Sequence, residues 1–268
     1  MGYWNRKTEL KKKANAHTNK MEELYSLEIT ECVNRSKIYD QTFVCKKECD
    51  SKPDFHQKIT VEDMDSAQAI FSYENTGKTA VLNFADYKNP GGKFLDGSSA
   101  QEEMLCHSSF LYNVLSEFDD DYYEFNRLTK NFALYTNRAL YSPDVLFIRN
   151  DEEICVDVIT CAAPNKTTAQ KYCGKSDFDC NSAMVERIHF ILDIAKEEEI
   201  NTLILGAWGC GVFGNDAEFV ANSFKKELEE YYTDTFKNVI FAIPGGINYT
   251  IFAKVFADSS YYKKGFNV

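Results

Sequence analysis

The stretch NFADYKNPGGKFLDGSSAQEEMLCHSS, residues Asn83 to Ser109, decides how the chain is read. It starts inside a short apolar run, TAVLNFA from Thr79 to Ala85, whose length and polar flanks predict a buried strand. Pro90, Gly91 and Gly92 break that strand, because glycine lets a backbone turn tightly or lie close against a ligand. Ser99-Ala-Gln-Glu102 has the spacing of a capping box and predicts a helix from this point. Met104, Leu111, Leu115 and Phe118 carry its apolar face, so one helix is expected over 101–118. A strand end, a glycine loop and a helix start thus converge beside two adjacent carboxylates, Glu102 and Glu103. Capping needs only one of them. The junction suits anion binding and acid–base chemistry.

Outward from this stretch, the pattern alternates. Strands are expected at 41–45, 144–149, 154–160, 203–207 and 239–243, and helices at 182–199 and 215–232 with one more at the end. Ile59 to Asp63 together with Ala67 to Ile70 read as a short helix, and residues 3–40 as charged and helix-compatible. The aromatic, acidic segment from Phe118 to Asn126 reads as a solvated loop. Alternation of strands and helices implies an α/β fold with a largely parallel sheet covered on both faces, and ligands at the C-terminal strand ends. The division expected is an N-terminal helical extension, 1–58, packed on a core, 59–268.

A second glycine loop, GAWGCGVFGN from Gly206 to Asn215, lies between a strand and a helix start, where outward N–H groups favour a phosphate. Gly209, Gly211 and Gly214 spell the dinucleotide fingerprint GxGxxG. That reading needs a carboxylate about 20 residues on, at the end of the next strand, where the chain instead reads AIPGG. Gly174-Lys175-Ser176 imitates a phosphate loop of the NTPase kind but has Ala169 where the earlier glycine belongs.

Composition narrows the classes. The chain has 268 residues, is 44% hydrophobic and carries a formal net charge of −11, which describes a globular protein whose overall field repels nucleic acid and acidic membranes. An anion site here depends on local donors. No apolar run nears the ~18 residues of a membrane span, and the N-terminus lacks the apolar core of a signal peptide. Nine scattered cysteines and four separated histidines form no paired CxxC array and no HExxH, so neither a metal nor a cofactor is expected. Cys106 and His107 are neighbours on the expected helix and so point apart, which is no nucleophile–base pair. A cytoplasmic monomer is expected, or a nuclear one in a eukaryote.

PGGKFLDGSSAQEE resembles the signature of bacterial-type poly(ADP-ribose) glycohydrolases, which are macrodomains. TCAAPN (160–165), GAWGCGVFGN and VIFAIPGGINYTIF (239–252) are similar to the family's other strand ends, in the same order, over the chain from about residue 79. The resemblance implies a macrodomain-like three-layer α/β/α sandwich with a mixed, largely parallel sheet. It implies hydrolysis of O-glycosidic ribose bonds in poly(ADP-ribose) on modified proteins, with Glu103 as acid and then base and Glu102 holding ribose hydroxyls. Gly91, Gly92, Lys93 and Gln101 on one side, and Gly209, Gly211, Val212, Phe213, Gly214 and Asn215 on the other, would clasp the ligand. Phe252 is the first candidate to stack on adenine and Tyr249 the second. Removal of single ADP-ribose groups, or recognition without cleavage, are the alternatives. Lys93 stands where the family has a third glycine. It is expected to strain a left-handed loop backbone and to reach the diphosphate with its ammonium, the alternative being that it points to solvent and the loop shifts slightly.

Overall fold

Strand β3 (Thr79–Phe84) runs through the middle of a seven-stranded sheet, and the chain is laid out around it. The computed structural model describes residues 3–47, 54–73 and 76–257. In chain order, helix α1 (Tyr3–Arg35) precedes strands β1 (Lys37–Tyr39) and β2 (Lys58–Glu62), helix α2 (Ser66–Ser72) and β3. Helices α3 (Gln101–His107), α4 (Leu111–Ser116) and α5 (Phe125–Leu128) follow, then the antiparallel hairpin of β4 (Ala139–Arg149) and β5 (Glu152–Cys161). The remainder is α6 (Lys166–Cys173), α7 (Asp177–Glu197), β6 (Thr202–Leu205), α8 (Ala217–Glu230), β7 (Asn238–Ala242) and α9 (Gly246–Ala257).

The sheet order is β1-β4-β5-β3-β6-β7-β2, with antiparallel pairs only at β1–β4 and β4–β5. Alternate side chains of each strand feed two separate cores, as the two-residue period of a strand requires. Ala80, Leu82, Leu203, Leu205, Val239 and Phe241 meet residues of α7, α8 and α9 on one face. Val81, Ile204, Ile240 and Ala242 meet residues of α1 to α4 on the other. The mixed, largely parallel three-layer arrangement is the one expected. β3 has β5 on one side and β6 on the other, so the chain leaves its neighbours in opposite directions and opens a crevice at their C-terminal ends.

Five local expectations are corrected. The strand placed at 41–45 lies instead at Lys37–Tyr39, because Asp40 accepts from the N–H of Thr42 at 2.8 Å and from its hydroxyl at 2.6 Å, turning the chain away from the sheet. Ile59 to Glu62 is not helical. Its β-branched residues alternate inward and outward and pair in parallel with β7. The single helix over 101–118 is two helices, since Ser108 O accepts from Ile148 N at 2.7 Å and the Ser109 hydroxyl accepts from Leu111 N at 3.1 Å. The segment from Phe118 to Asn126 is no solvated loop: Asp119–Glu124 forms a π-helical turn that buries Tyr122 and Tyr123. Helix α7 starts before the expected residue 182, at a capping box of Ser176 and Asp179.

Candidate active site

After β3 the backbone turns through Asp86, whose Oδ1 accepts from the N–H groups of Lys88 at 2.7 Å and Asn89 at 2.9 Å. Gly91 and Gly92 follow with φ of 62° and 60°, a region that side chains resist. Space demands glycine as well. A Cβ on Gly91 would lie 2.7 Å from the Tyr112 ring, and one on Gly92 would lie 2.8 Å from Glu103 Oε1 and 2.9 Å from Glu102 Oε2. Both carboxylates therefore sit directly under Gly92. Lys93 has φ −110°, so the left-handed strain expected for it is absent; the two preceding glycines complete the turn.

The capping box at Ser99 does not form. Ala100 is the N-cap of α3 and makes no side-chain cap bond, which frees both glutamates to turn inward. Glu102 accepts from Asn83 Nδ2 at 3.1 Å with Oε1 and from Asp86 N at 2.7 Å with Oε2. Burial pushes its carboxyl well above the usual range, against the downward pull of those two hydrogen bonds. Glu103 accepts from Lys93 N at 3.0 Å with Oε1, while its buried Oε2 has no partner among the described residues. Of the four carboxylate oxygens, that one alone accepts nothing from the described residues. Gln101 locks the helix to the sheet: its Oε1 accepts from Phe84 N at 2.9 Å, and its Nε2 donates to Leu82 O at 2.9 Å and Ser66 Oγ at 3.1 Å.

The loop after β6 is built differently. Gly209 and Gly214 are left-handed, with φ of 73° and 71°, and added Cβ atoms would strike Asn215 and Thr167 respectively. Asn215 clips the loop shut by donating Nδ2 to Pro164 O at 2.9 Å and to Gly209 O at 3.0 Å. Gly211 has open space around its Cα, and Val212 beside it is 92% exposed. The N–H groups of Gly211, Val212 and Phe213 have no hydrogen-bond partner among the described residues. Three free donors ahead of α8 form a concave seat for an anion.

Beside the second loop, between it and the start of α3, lies a cavity of about 530 Å³. Phe84, Gln101 and Leu105 line one wall and Gly209, Gly211, Val212 and Phe213 the other, with Asp65, Ile243, Pro244 and Asn248 at the far end. Glu102 and Glu103 lie behind the Gly92 turn rather than on the cavity lining itself.

A family model described as "Microbial-type PARG, catalytic domain" matches residues 6–150. The chain belongs to this microbial-type PARG family. Among solved structures, poly(ADP-ribose) glycohydrolase (PARG) from Thermomonospora curvata is 27% identical with a TM-score of 0.84, over 93% of this chain and 100% of that one. The same enzyme bound to the inhibitor ADP-HPD is 26% identical with a TM-score of 0.79, over 92% and 99%. PARG from Deinococcus radiodurans in complex with ADP-ribose is 31% identical with a TM-score of 0.76, over 85% and 96%. No curated protein matches.

Within this PARG fold the expected site residues take unequal places. Gly91, Gly92, Lys93, Glu102 and Glu103 gather at one turn, and Gly209, Gly211, Val212, Phe213 and Gly214 at the other. Both polar atoms of Gln101 and the amide nitrogen of Asn215 are taken by the protein, so these groups hold the loops in place. Phe252 is corrected. It is fully buried and packs on Phe241 and Phe256, because α9 turns that side toward the sheet. Tyr249 also packs on that core. The far end of the cavity is lined instead by Ile243 to Gly245, Ile247 and Asn248, together with Asp65 and Ser66 of the α2 start. Trp208, buried with its indole Nε1 lacking a partner among the described residues, lines the wall as well. Its signal was its place inside the glycine loop. Asp65 and Ser66 gave none, since β2 was read as helix.

Proposed function

We propose that the protein hydrolyses the O-glycosidic ribose bonds of poly(ADP-ribose) and releases ADP-ribose, with Glu103 as the proton-transferring group. The observation that carries this reading is Glu103 Oε2, buried and without a partner among the described residues, while its twin oxygen lies beneath Gly92 and accepts from Lys93 N. Family membership supports the activity, and the ADP-ribose and ADP-HPD complexes of the relatives support the ligand.

The chemistry follows from the geometry. Glu103 gives its proton to the leaving ribose oxygen as the bond to the anomeric carbon breaks, leaving an oxocarbenium-like centre. The resulting carboxylate then takes a proton from the water that attacks that carbon, which restores the acid. Glu102, fixed by Asn83 and Asp86, orients the ribose. Adjacent residues on one helix cannot flank a bond from opposite faces, so the paired-carboxylate geometry of ordinary retaining glycosidases does not apply. The free N–H groups of Gly211, Val212 and Phe213 receive the diphosphate, the exposed Lys93 ammonium adds charge on the opposite rim, and adenine occupies the end near Asn248. The 1–58 segment serves as a support for this core, giving β1 to the sheet edge and α1 to its face. The eight cysteines described are free thiols, which suits a cytoplasmic protein. Among the described residues no helix is long and apolar enough to cross a membrane.

The test is Glu103→Gln, which keeps shape and removes the transferable proton. Turnover of poly(ADP-ribose) should fall by ~10²-fold or more while calorimetric binding of ADP-ribose stays within about twofold. Undiminished turnover would move the acid elsewhere, and binding without turnover in the parent protein would make it a reader.

A further inference from the structure

The wall of the cleft does not stop at Phe213. Thr167, at the start of α6, donates its N–H to Phe213 O at 3.0 Å and its hydroxyl at 3.3 Å, fixing α6 to the phosphate-side loop. Ala169 of α6 packs on Ala133 and Leu134, and Asn165 N donates to Ala133 O at 2.9 Å. The segment carrying Ala133 is tied in turn to the carboxylate turn. Tyr135 stacks on Tyr87 at 4.0 Å, and Tyr87 donates its hydroxyl to Thr129 O at 2.9 Å. Tyr87 itself follows Asp86, whose N–H is held by Glu102. Residues 129–135 and α6 therefore form the rim at the glutamate end of the cleft, away from Asp65 and Asn248.

This rim has an unusual make-up for a chain of net charge −11. Phe132 is 61% exposed and Tyr172 71%. Tyr172 is one helical turn beyond Ala169, on the side of α6 that meets Ala133. Lys175 Nζ stands 4.7 Å from the centre of the Phe132 ring, and Lys171 Nζ 5.1 Å from that of Tyr172. Lys166 beside them is paired with Asp177 at 2.5 Å, but no ion pair engages Lys171 or Lys175 among the described residues. The nearby Asp179 accepts from Ser176 N at 2.9 Å and Ser176 Oγ at 2.8 Å, hydrogen bonds that hold its carboxyl below the usual range. The backbone here is also strained. Asn131, Phe132, Ala133 and Tyr135 have φ of 43°, 54°, 65° and 62°, and Asn131 Nδ2 donates to Tyr135 O at 2.9 Å to hold the turn. An aromatic residue held left-handed and exposed is kept against its own preference, which is expected where a side chain must be presented.

We propose that this rim binds the ADP-ribose unit next along the polymer, on the leaving side of the bond that Glu103 cleaves. Its adenine stacks on the Phe132–Tyr172 surface and its diphosphate lies between Lys171 and Lys175. Stacking needs an exposed flat ring, and a polyanion approaching an acidic protein needs local cations; the rim offers both beside the site where the leaving ribose departs. The proposal rests on the glycohydrolase reading above and names where the rest of the substrate goes.

Two double variants test it: Phe132→Gly with Tyr172→Ala, and Lys171→Gln with Lys175→Gln. Glycine accepts the backbone of residue 132, so the first should remain folded. Each variant is assayed on long poly(ADP-ribose) and on an ADP-ribose glycoside with a small aryl leaving group, and its ADP-ribose affinity is measured by calorimetry. The expected result is a KM for polymer raised about fivefold or more, with the small glycoside and ADP-ribose unaffected within about twofold. The lysine variant should also flatten the salt dependence of the polymer KM. An unchanged polymer KM, or an equal loss on both substrates, overturns the proposal while the parent protein remains a glycohydrolase. A parent protein that cleaves neither substrate overturns the reading beneath it, and this proposal with it.

Discussion

The two glycine loops follow adjacent parallel strands, β3 and β6, and both are crowded; yet their surroundings are opposite in character. Under Gly92 the missing Cβ is replaced by two carboxylates, while Gly209 and Gly214 make room for Asn215, Ala163 and Thr167, none of them charged. The first loop turns its available N–H inward, Lys93 N onto Glu103. The second leaves three N–H groups without a partner among the described residues. The same residue type thus builds an acceptor-rich pocket at one end and a donor-rich seat at the other. One end suits an atom that becomes positive during the reaction, and the other a diphosphate. In an acidic chain the division has to be made locally, because the overall field favours neither.

The sharpest way to break this comparison is to add the same methyl group to each loop. Gly92→Ala puts a Cβ into Glu103 and Glu102 at a left-handed φ, so the carboxylates must move. The cost is roughly 1–2 kcal/mol in stability, and kcat should fall by ~10²-fold with ADP-ribose still bound. Gly211→Ala meets no atom within 4 Å. Its Tm should be unchanged within about 1–2 °C, and its effect should appear as weaker ADP-ribose binding. Thermal melts, steady-state kinetics and calorimetry on both variants separate the two outcomes. Equal losses of turnover would mean that the loops do not divide the work.

A smaller effect concerns Glu102. Burial raises its carboxyl pKa, so the folded protein holds that proton more tightly than the unfolded chain. As pH climbs from the ordinary carboxyl value toward the raised one, ionisation of Glu102 costs the folded state stability that it does not cost the unfolded one. Glu102→Gln removes this penalty. Its amide oxygen can still accept from Asp86 N, and Asn83 Oδ1, which has no partner among the described residues, can accept from its amino group after a flip. The variant should melt about 2–4 °C higher at pH 8, as ~1 kcal/mol would produce, with the advantage gone below about pH 4. Turnover should fall all the same, through the ribose. A Tm difference that did not change with pH would mean that the carboxyl is not buried as described.

How much of this was legible before the structure depends on where the signal sits. Strand TAVLNF, the two glycine turns and the Glu102–Glu103 pair stand within single stretches, where period and residue type are enough. Ser99 looked like a cap because S-x-x-E fits the spacing. Only the fold reveals that Asn83 and Asp86, from β3 and the turn after it, claim Glu102 instead. Phe252 belongs to a helix nearly apolar all round, so its sequence could not say which face meets the ligand. Tyr122 and Tyr123 sit among acids that imitate a surface loop, and a π-helical turn sends them inward. In each of these cases the deciding contact is distant in the chain.

The smallest effect concerns Lys93, where a glycine was expected and strain with it. Its φ of −110° is open to any residue, and its contribution to Glu103 is a backbone N–H that glycine retains. Lys93→Gly therefore relieves nothing. It should lower stability by about 0.5–1 kcal/mol through the freer unfolded chain and leave kcat within about twofold. The substitution removes the exposed side chain, whose ammonium is its one group able to pair with an anion. Its loss should weaken ADP-ribose binding by about two- to fivefold at low salt, an effect the size of an exposed charge pair, and by nothing measurable at high salt. Calorimetry at two ionic strengths reads this directly. Were turnover instead to rise about tenfold, the lysine charge would have to act on the cationic centre itself. The carboxylate turn would then contain a positive group, and the contrast between the two loops would lose its sharpest edge.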